Sequence, residues 1–279
     1  MAEDMTINAV VSRIKTMYEE AIVKGGRDGV HSLIRSKKLI NCIHEFIKHE
    51  LVRQGIDASK IIPPLGETKP ELTMAGFLKR KSQDISVLSK SPKTEIIEEG
   101  VLIGEKDEIG KEVMNKSIVI NIRSQLSSLA KNFDTLFERT FAEPLNLHLR
   151  APQMVIGEVY MVPLIAYDPD KADKNKIGWK EWLPVSYIPA FQALNNRKDE
   201  EDDNYKYERV CLLVIDFRQN PPKIVDSMQD FIDEGIVDEE LAKKFSMEGL
   251  DIKNFVSDIL AIYKKRHGSL KSLEAVRLS

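Results

Sequence analysis

The run Ser117-Ile118-Val119-Ile120-Asn121-Ile122-Arg123 alternates in polarity toward its end, which is the pattern of a strand with two unlike faces. Residues two apart on a strand share a face. Asn121 and Arg123 therefore point together, and Gln125 joins them if the strand continues. A polar tip of this kind gains chemistry when carboxylates reach it. Hydrolysis of a phosphodiester needs one or two carboxylates to hold Mg²⁺ and a cation beside the attacking water and the scissile phosphate. Such groups are best carried on rigid strands. Upstream, Asp84 opens another strand-like run directly after Lys79-Arg80-Lys81. Downstream, Glu138 and Glu143 fall in a helical segment about 140° apart, on opposite flanks of its apolar stripe. Glu158 sits between apolar neighbours on a further strand, where a buried carboxylate needs a partner.

The elements that must position these residues follow from periodicity. Val10, Ile14, Met17, Tyr18, Ala21 and Ile22 recur at helical spacing up to a turn at Gly25-Gly26. A second helix spans about Ser32 to Arg53, with Leu39, Ile43, Phe46 and Ile47 on one face and Gly55 closing it. Pro63-Pro64 begins an irregular connection. From Phe77 the period changes. Asp84–Leu88, Gly100–Ile103 and Ser117–Arg123 read as strands, with a charged hairpin loop over Gly104–Lys116. A helix is expected from about Leu126 to Leu149, kinked or broken near Pro144. Val155–Val162 and Val210–Phe217 are further strands, and two or three amphipathic helices fill Asp226–Lys265. The acidic run Asp199–Asp203 reads as a solvated loop. The chain divides into an N-terminal helical region (1–76), an α/β core (77–165) and a C-terminal strand-and-helix region (166–279) packed on it.

Composition excludes several classes of function. Cys42 and Cys211 are far apart with no CxxC spacing, so neither a disulfide framework nor a zinc knuckle is expected. His44 and His49 are five apart on a helix and form no HExxH-like pair, and His148 at a helix end reads as structural. No phosphate-binding or dinucleotide glycine motif occurs, and no GxSxG. The first residues, with Glu3 and Asp4, lack a signal-peptide pattern, and no apolar stretch is long enough for a membrane span. A cytoplasmic protein with no membrane partner is expected. Residues 1–90 carry 15 Lys+Arg against 11 Asp+Glu, and residues 191–260 carry 9 against 17. That asymmetry permits a basic cleft with an acidic back, as a DNA-binding protein can have.

The stretch from Ser117 to Val162 resembles type II restriction endonucleases of the PD-(D/E)XK class. Some of those enzymes carry an acid-x-lysine strand end followed by Ser-Gln, a polar turn and a helix with glutamates. The matching residues here are Asn121-Ile122-Arg123-Ser124-Gln125, Ser127-Ser128, Lys131-Asn132-Phe133, Glu138 and Glu143. Lys81-Ser82-Gln83-Asp84 and the Glu158 strand extend the likeness more loosely. Asn121 stands where the class has an acid, and Arg123 where it has lysine; in some members the second acid lies on the following helix. The resemblance implies an α/β fold with a restriction-endonuclease-like central mixed sheet flanked by helices, with helical N- and C-terminal extensions. It implies Mg²⁺-dependent, sequence-specific cleavage of double-stranded DNA by a homodimer or a heterodimer of related subunits. Asp84, Arg123, Glu138 and Gln125 would be the catalytic set. Asp84 with Glu138 or Glu143 would hold the metal, and Lys79, Arg80, Lys81, Ser124 and Lys131 would contact DNA. The rival reading is a non-catalytic DNA-binding or scaffolding protein on the same fold.

Overall fold

Thr6 accepts a hydrogen bond from the Ala9 amide at 3.2 Å and so caps helix α1 (Ile7–Arg35). Its core stripe includes Val10, Ile14, Tyr18, Ile22 and Val30. The expected turn at Gly25-Gly26 is instead a kink inside one helix, at Gly26 (φ 56°, ψ −144°). A side chain at Gly26 would meet the Ala172 carbonyl, so the kink is also a close backbone approach. Because α1 runs on to Arg35, helix α2 (Lys38–Arg53) starts later than Ser32, after Lys37 in the left-handed region. These positions come from a computed structural model that describes residues 5–131 and 133–275. Glu3, Asp4 and Asn132 lie outside them.

The following strands are β1 (Ile61–Ile62), β2 (Leu72–Ala75), β3 (Arg80–Gln83), β4 (Ile85–Leu88), β5 (Glu95–Ile96) and β6 (Lys106–Asp107). Helix α3 (Lys111–Asn115) leads into β7 (Ser117–Ser124), and α4 (Phe133–His148) into β8 (Val155–Pro163). Then come β9 (Ile165–Tyr167), α5 (Pro169–Ala172), β10 (Trp179–Trp182) and α6 (Tyr187–Leu194). Strands β11 (Arg209–Asp216) and β12 (Lys223–Val225) precede α7 (Met228–Asp233), α8 (Glu239–Ala242) and α9 (Phe255–His267).

A six-stranded mixed sheet of order β1-β4-β7-β8-β11-β12 runs through the centre. β4 pairs antiparallel with β7, β7 and β8 are parallel, and β8 and β11 are parallel. The parallel pairs need crossovers, which α4 and α6 supply. Both faces of β7, β8 and β11 are covered, which explains their near-continuous apolar runs. Ile118, Ile120, Val155, Val159, Cys211 and Leu213 face the core shared with α1, α2 and α9. Val119, Ile156, Tyr160, Val210 and Leu212 face the core shared with α4 and α6. Gly157 lets α9 close on the sheet, since a Cβ there would come within 2.9 Å of Phe255 Cζ and 2.5 Å of Ile259 Cδ1. The molecule is therefore α/β with a mixed central sheet between helices. Among the described residues no helix is long and apolar enough to cross a membrane.

Three expectations need correction. Gly100–Ile103 is no strand: Gly100 and Gly104 adopt positive φ, and the turn between them leaves Val101 67% and Ile103 64% exposed. The helix expected from Leu126 begins at Phe133, because the preceding loop is held open by Glu181, whose carboxylate accepts the amides of Leu129 (3.1 Å) and Ala130 (2.8 Å). Pro144 does not end α4. Proline removes the hydrogen bond to the carbonyl four residues back, here that of Thr140, and the Tyr207 hydroxyl donates to that carbonyl at 3.0 Å instead.

Candidate active site

Strand register places three of the chemistry-bearing residues in one row. Ile85 lies opposite Ile120, and Asn121 opposite Glu158. Asp84, just before β4, Asn121 of β7 and Glu158 of β8 thus lie side by side, on the face that α4 covers. Asn121 is spent on holding this row. Its Oδ1 accepts the Asp84 amide at 3.2 Å and its Nδ2 donates to Gln83 Oε1 at 2.9 Å. The Ile122 amide donates to Asp84 Oδ2 at 2.8 Å. One oxygen of Asp84 is anchored and the other is left free. His44 of α2 lies behind it, with Nε2 4.0 Å from Oδ2.

Arg123, two residues past Asn121, reaches both neighbouring elements. Its Nε is 2.8 Å from Glu158 Oε1, and its Nη2 pairs with Glu143 of α4. Glu143 also pairs with the Lys81 ammonium from β3. The result is an alternating chain, Lys81–Glu143–Arg123–Glu158, beside a cavity of about 350 Å³ that Lys81, Asp84, Asn121, Arg123 and Glu143 help to line. With Asp84 the cluster holds two cations and three carboxylates.

Glu158 is the unusual member. Its side chain is fully buried, and neither carboxylate oxygen receives a well-directed hydrogen bond. Burial pushes its acid up to about 7; the Arg123 charge opposes the shift and Asp84 adds to it. Burial, reinforced by Arg123, brings Lys81 down to about 8, while Glu158 holds the Arg123 guanidinium above its ordinary range. A carboxyl and an ammonium whose ionisations are pushed toward neutrality from opposite sides mark a site able to move protons.

Of the residues expected from the sequence, the fold brings Lys81, Asp84, Arg123 and Glu143 together. Glu138 is exposed on α4 and does not line the cavity, because a five-residue step turns it away from the flank that carries Glu143. Gln125 is also elsewhere engaged. It is buried, accepts the hydroxyls of Tyr160 (2.9 Å) and Tyr187 (3.0 Å), and donates to the Ser128 carbonyl at 2.8 Å. It fastens the loop after β7 and has no free atom for water. Arg80 is tied to Glu105 at 3.0 Å and to the Lys106 carbonyl at 2.7 Å. Lys79 and Lys131 are exposed, outside the cavity, and Ser124 lines a neighbouring one. Glu158 stood out in the sequence only as a carboxylate among apolar residues, and its role beneath Arg123 depends on strand register. Arg139, one turn before Glu143, also lines the cavity; nothing in the sequence set it apart from other helical arginines.

Comparison with protein-family models, curated proteins and solved structures finds no match to this chain.

A bound cation can be tested against these residues. Among the described residues no group of three or more His, Cys, Asp or Glu side chains could cage a metal. Mg²⁺ does not require one: it keeps several waters and takes one or two carboxylates together with substrate phosphate oxygens. Asp84, with its free oxygen on the cavity, fits that requirement, and Glu143 is the other carboxylate on the cavity wall; Glu158 lies buried beneath Arg123 and does not reach the cavity.

Proposed function

We propose that this protein is a Mg²⁺-dependent endonuclease of double-stranded DNA, of the type II restriction-enzyme kind, built on a restriction-endonuclease-like sheet. One observation carries the reading. Lys81 of β3, Asp84 just before β4, Arg123 of β7 and Glu143 of α4 line one cavity, Glu158 of β8 is paired with Arg123 beneath it, and two of these groups have ionisations shifted toward neutrality.

Each side chain has a part in hydrolysis. Asp84, with Glu143 as the second carboxylate on the cavity wall, would hold the cation, which when bound supplies charge to a phosphoryl oxygen and acidifies a water. Asp84 is pre-oriented by the Ile122 amide. Arg123 is permanently charged and cannot serve as a base; held between Glu143 and Glu158, it fixes both carboxylates and presents the remainder of its guanidinium to the phosphate. Lys81, whose side chain is 31% exposed, is paired with Glu143 and would exchange that partner for an incoming phosphate. Its ammonium can give a proton to the departing 3′-oxygen as water adds to phosphorus and the P–O3′ bond breaks; the proton shed by the added water then recharges the Lys81 amine, leaving 5′-phosphate and 3′-hydroxyl ends. Cutting both strands of a duplex calls for two such sites, and so for a two-fold dimer.

A second reading has its own support. Arg123 is neutralised by two carboxylates where a proton-transferring lysine would be needed, an arrangement that suits a protein binding DNA without cutting it. The test separates the two. Purified protein is incubated with phage and plasmid DNA in Mg²⁺ or in EDTA, alongside Asp84→Ala. Discrete Mg²⁺-dependent fragments, reduced at least about 10²-fold in Asp84→Ala with DNA binding retained, are expected. A salt-dependent gel shift without cleavage supports the second reading, and absence of both rejects the pair.

A further inference from the structure

Arg139 differs from the other cations of the site. Lys81 and Arg123 are both paired with carboxylates. Arg139 is exposed and has no ion-pair partner among the described residues. It sits where two cavities meet: the one of about 350 Å³ at Asp84, and one of about 530 Å³ running toward Ser124, Thr135 and Tyr160. Both cavities are bordered by Arg123 and Arg139, so they adjoin along those two side chains, and a backbone crossing Arg139 would run from one into the other. Helix geometry puts Thr135, Arg139 and Glu143 on one face, four residues apart in sequence. That face carries a hydroxyl, a free guanidinium and the Lys81-bound carboxylate in succession from one cavity to the other. Ser124, at the end of β7, lines the same cavity as Thr135. That larger cavity therefore offers hydroxyl donors and one uncompensated positive charge, with no carboxylate on its walls.

We propose that Arg139 grips a second phosphate, adjacent to the scissile one, on the Ser124–Thr135 side. The two cavities then take a polynucleotide whose backbone continues past the cut, and a mononucleotide would leave one of them empty. The inference rests on the nuclease reading and names the substrate contact that reading lacks. A guanidinium suits the role because its forked donors match two phosphate oxygens at once.

The test is the salt dependence of binding to a duplex oligonucleotide in EDTA, where no cleavage intervenes. Wild type, Arg139→Ala, Arg139→Lys and a surface control, Lys264→Ala on α9, are compared by fluorescence anisotropy from 50 to 200 mM salt, with melting curves to verify folding. Each phosphate contact contributes about 0.9 to the slope of log K against log salt. Arg139→Ala is expected to lower the slope by about that amount and to weaken binding roughly tenfold at the low-salt end. Arg139→Lys should restore the slope, and Lys264→Ala should match wild type. An unchanged slope in folded Arg139→Ala overturns the phosphate contact and leaves the nuclease reading intact. Wild type without salt-dependent binding overturns both. A lowered slope in a protein that cuts nothing keeps the contact and rejects catalysis.

Discussion

Glu208 and Glu158 are both fully buried and lie close together in the same sheet, on or beside neighbouring strands, yet they are accommodated in opposite ways. Glu208, just before β11, receives the Ile156 amide at 2.7 Å, Arg197 at 2.9 Å and Arg266 at 2.7 Å, with His148 Nε2 at 3.3 Å. Burial alone would raise its acid, but the surrounding charges, His148 foremost, bring it down to about 2. Glu158 has Arg123 close by but no well-directed donor on either oxygen, and its acid sits near 7. A buried charge that is fully paired and hydrogen-bonded serves the fold, since all of its bonding capacity is used. One left with open lone pairs costs stability and retains the capacity to bind a cation or a proton. The contrast separates architecture from chemistry within a few residues of β8.

That contrast is open to measurement, beginning with its largest expected effect. Glu208→Ala leaves Arg197, Arg266 and His148 around a hole with no counter-charge. It should cost about 3–5 kcal/mol in denaturant unfolding; a loss near zero would show that the network is not holding the sheet. Glu158→Gln should behave otherwise. The wild-type carboxyl must ionise in the folded state near 7 rather than near its ordinary 4.5. The folded state therefore binds more protons than the unfolded state between those values, and stability falls as pH rises through that window. The full cost above the window is on the order of 3 kcal/mol. Melting curves from pH 5 to 8 should show wild type losing ground to Glu158→Gln up to about neutrality and running parallel to it beyond. Parallel curves throughout would mean that Glu158 ionises normally. The smallest effect is expected at the exposed Glu138. Glu138→Ala should stay within about 0.5 kcal/mol of wild type with cleavage unchanged, whereas Glu143→Ala, which frees Lys81 and leaves Arg123 with Glu158 alone, should abolish cleavage.

The difference between those two glutamates shows what sequence could disclose. β7, β8 and β11 were legible because strands buried on both faces must be apolar almost throughout, and α2 because its stripe recurs every three to four residues. Asp84 and Arg123 were legible as polar residues at the ends of such strands. Which glutamate of α4 meets them was not. That depends on the rotation of the helix about its axis, which is set by the packing of Phe133, Leu136, Phe137 and Leu147 into the core. Gly100–Ile103 misled for a related reason: an apolar run between two glycines makes a strand only where a neighbour is available to pair with it. Gln125 sits in line with Arg123, yet Tyr160 and Tyr187 claim its side chain, and only the packed core shows that.

The position of β11 bears on how the molecule is made. β8, which carries Glu158, is closed on one side by a strand that follows it by about fifty residues, and on one face by α9, which comes later still. During translation β8 must wait with an unpaired edge while those segments are synthesised. The carboxylate cluster to which Glu158 belongs is therefore framed only after β11 and α9 have been made.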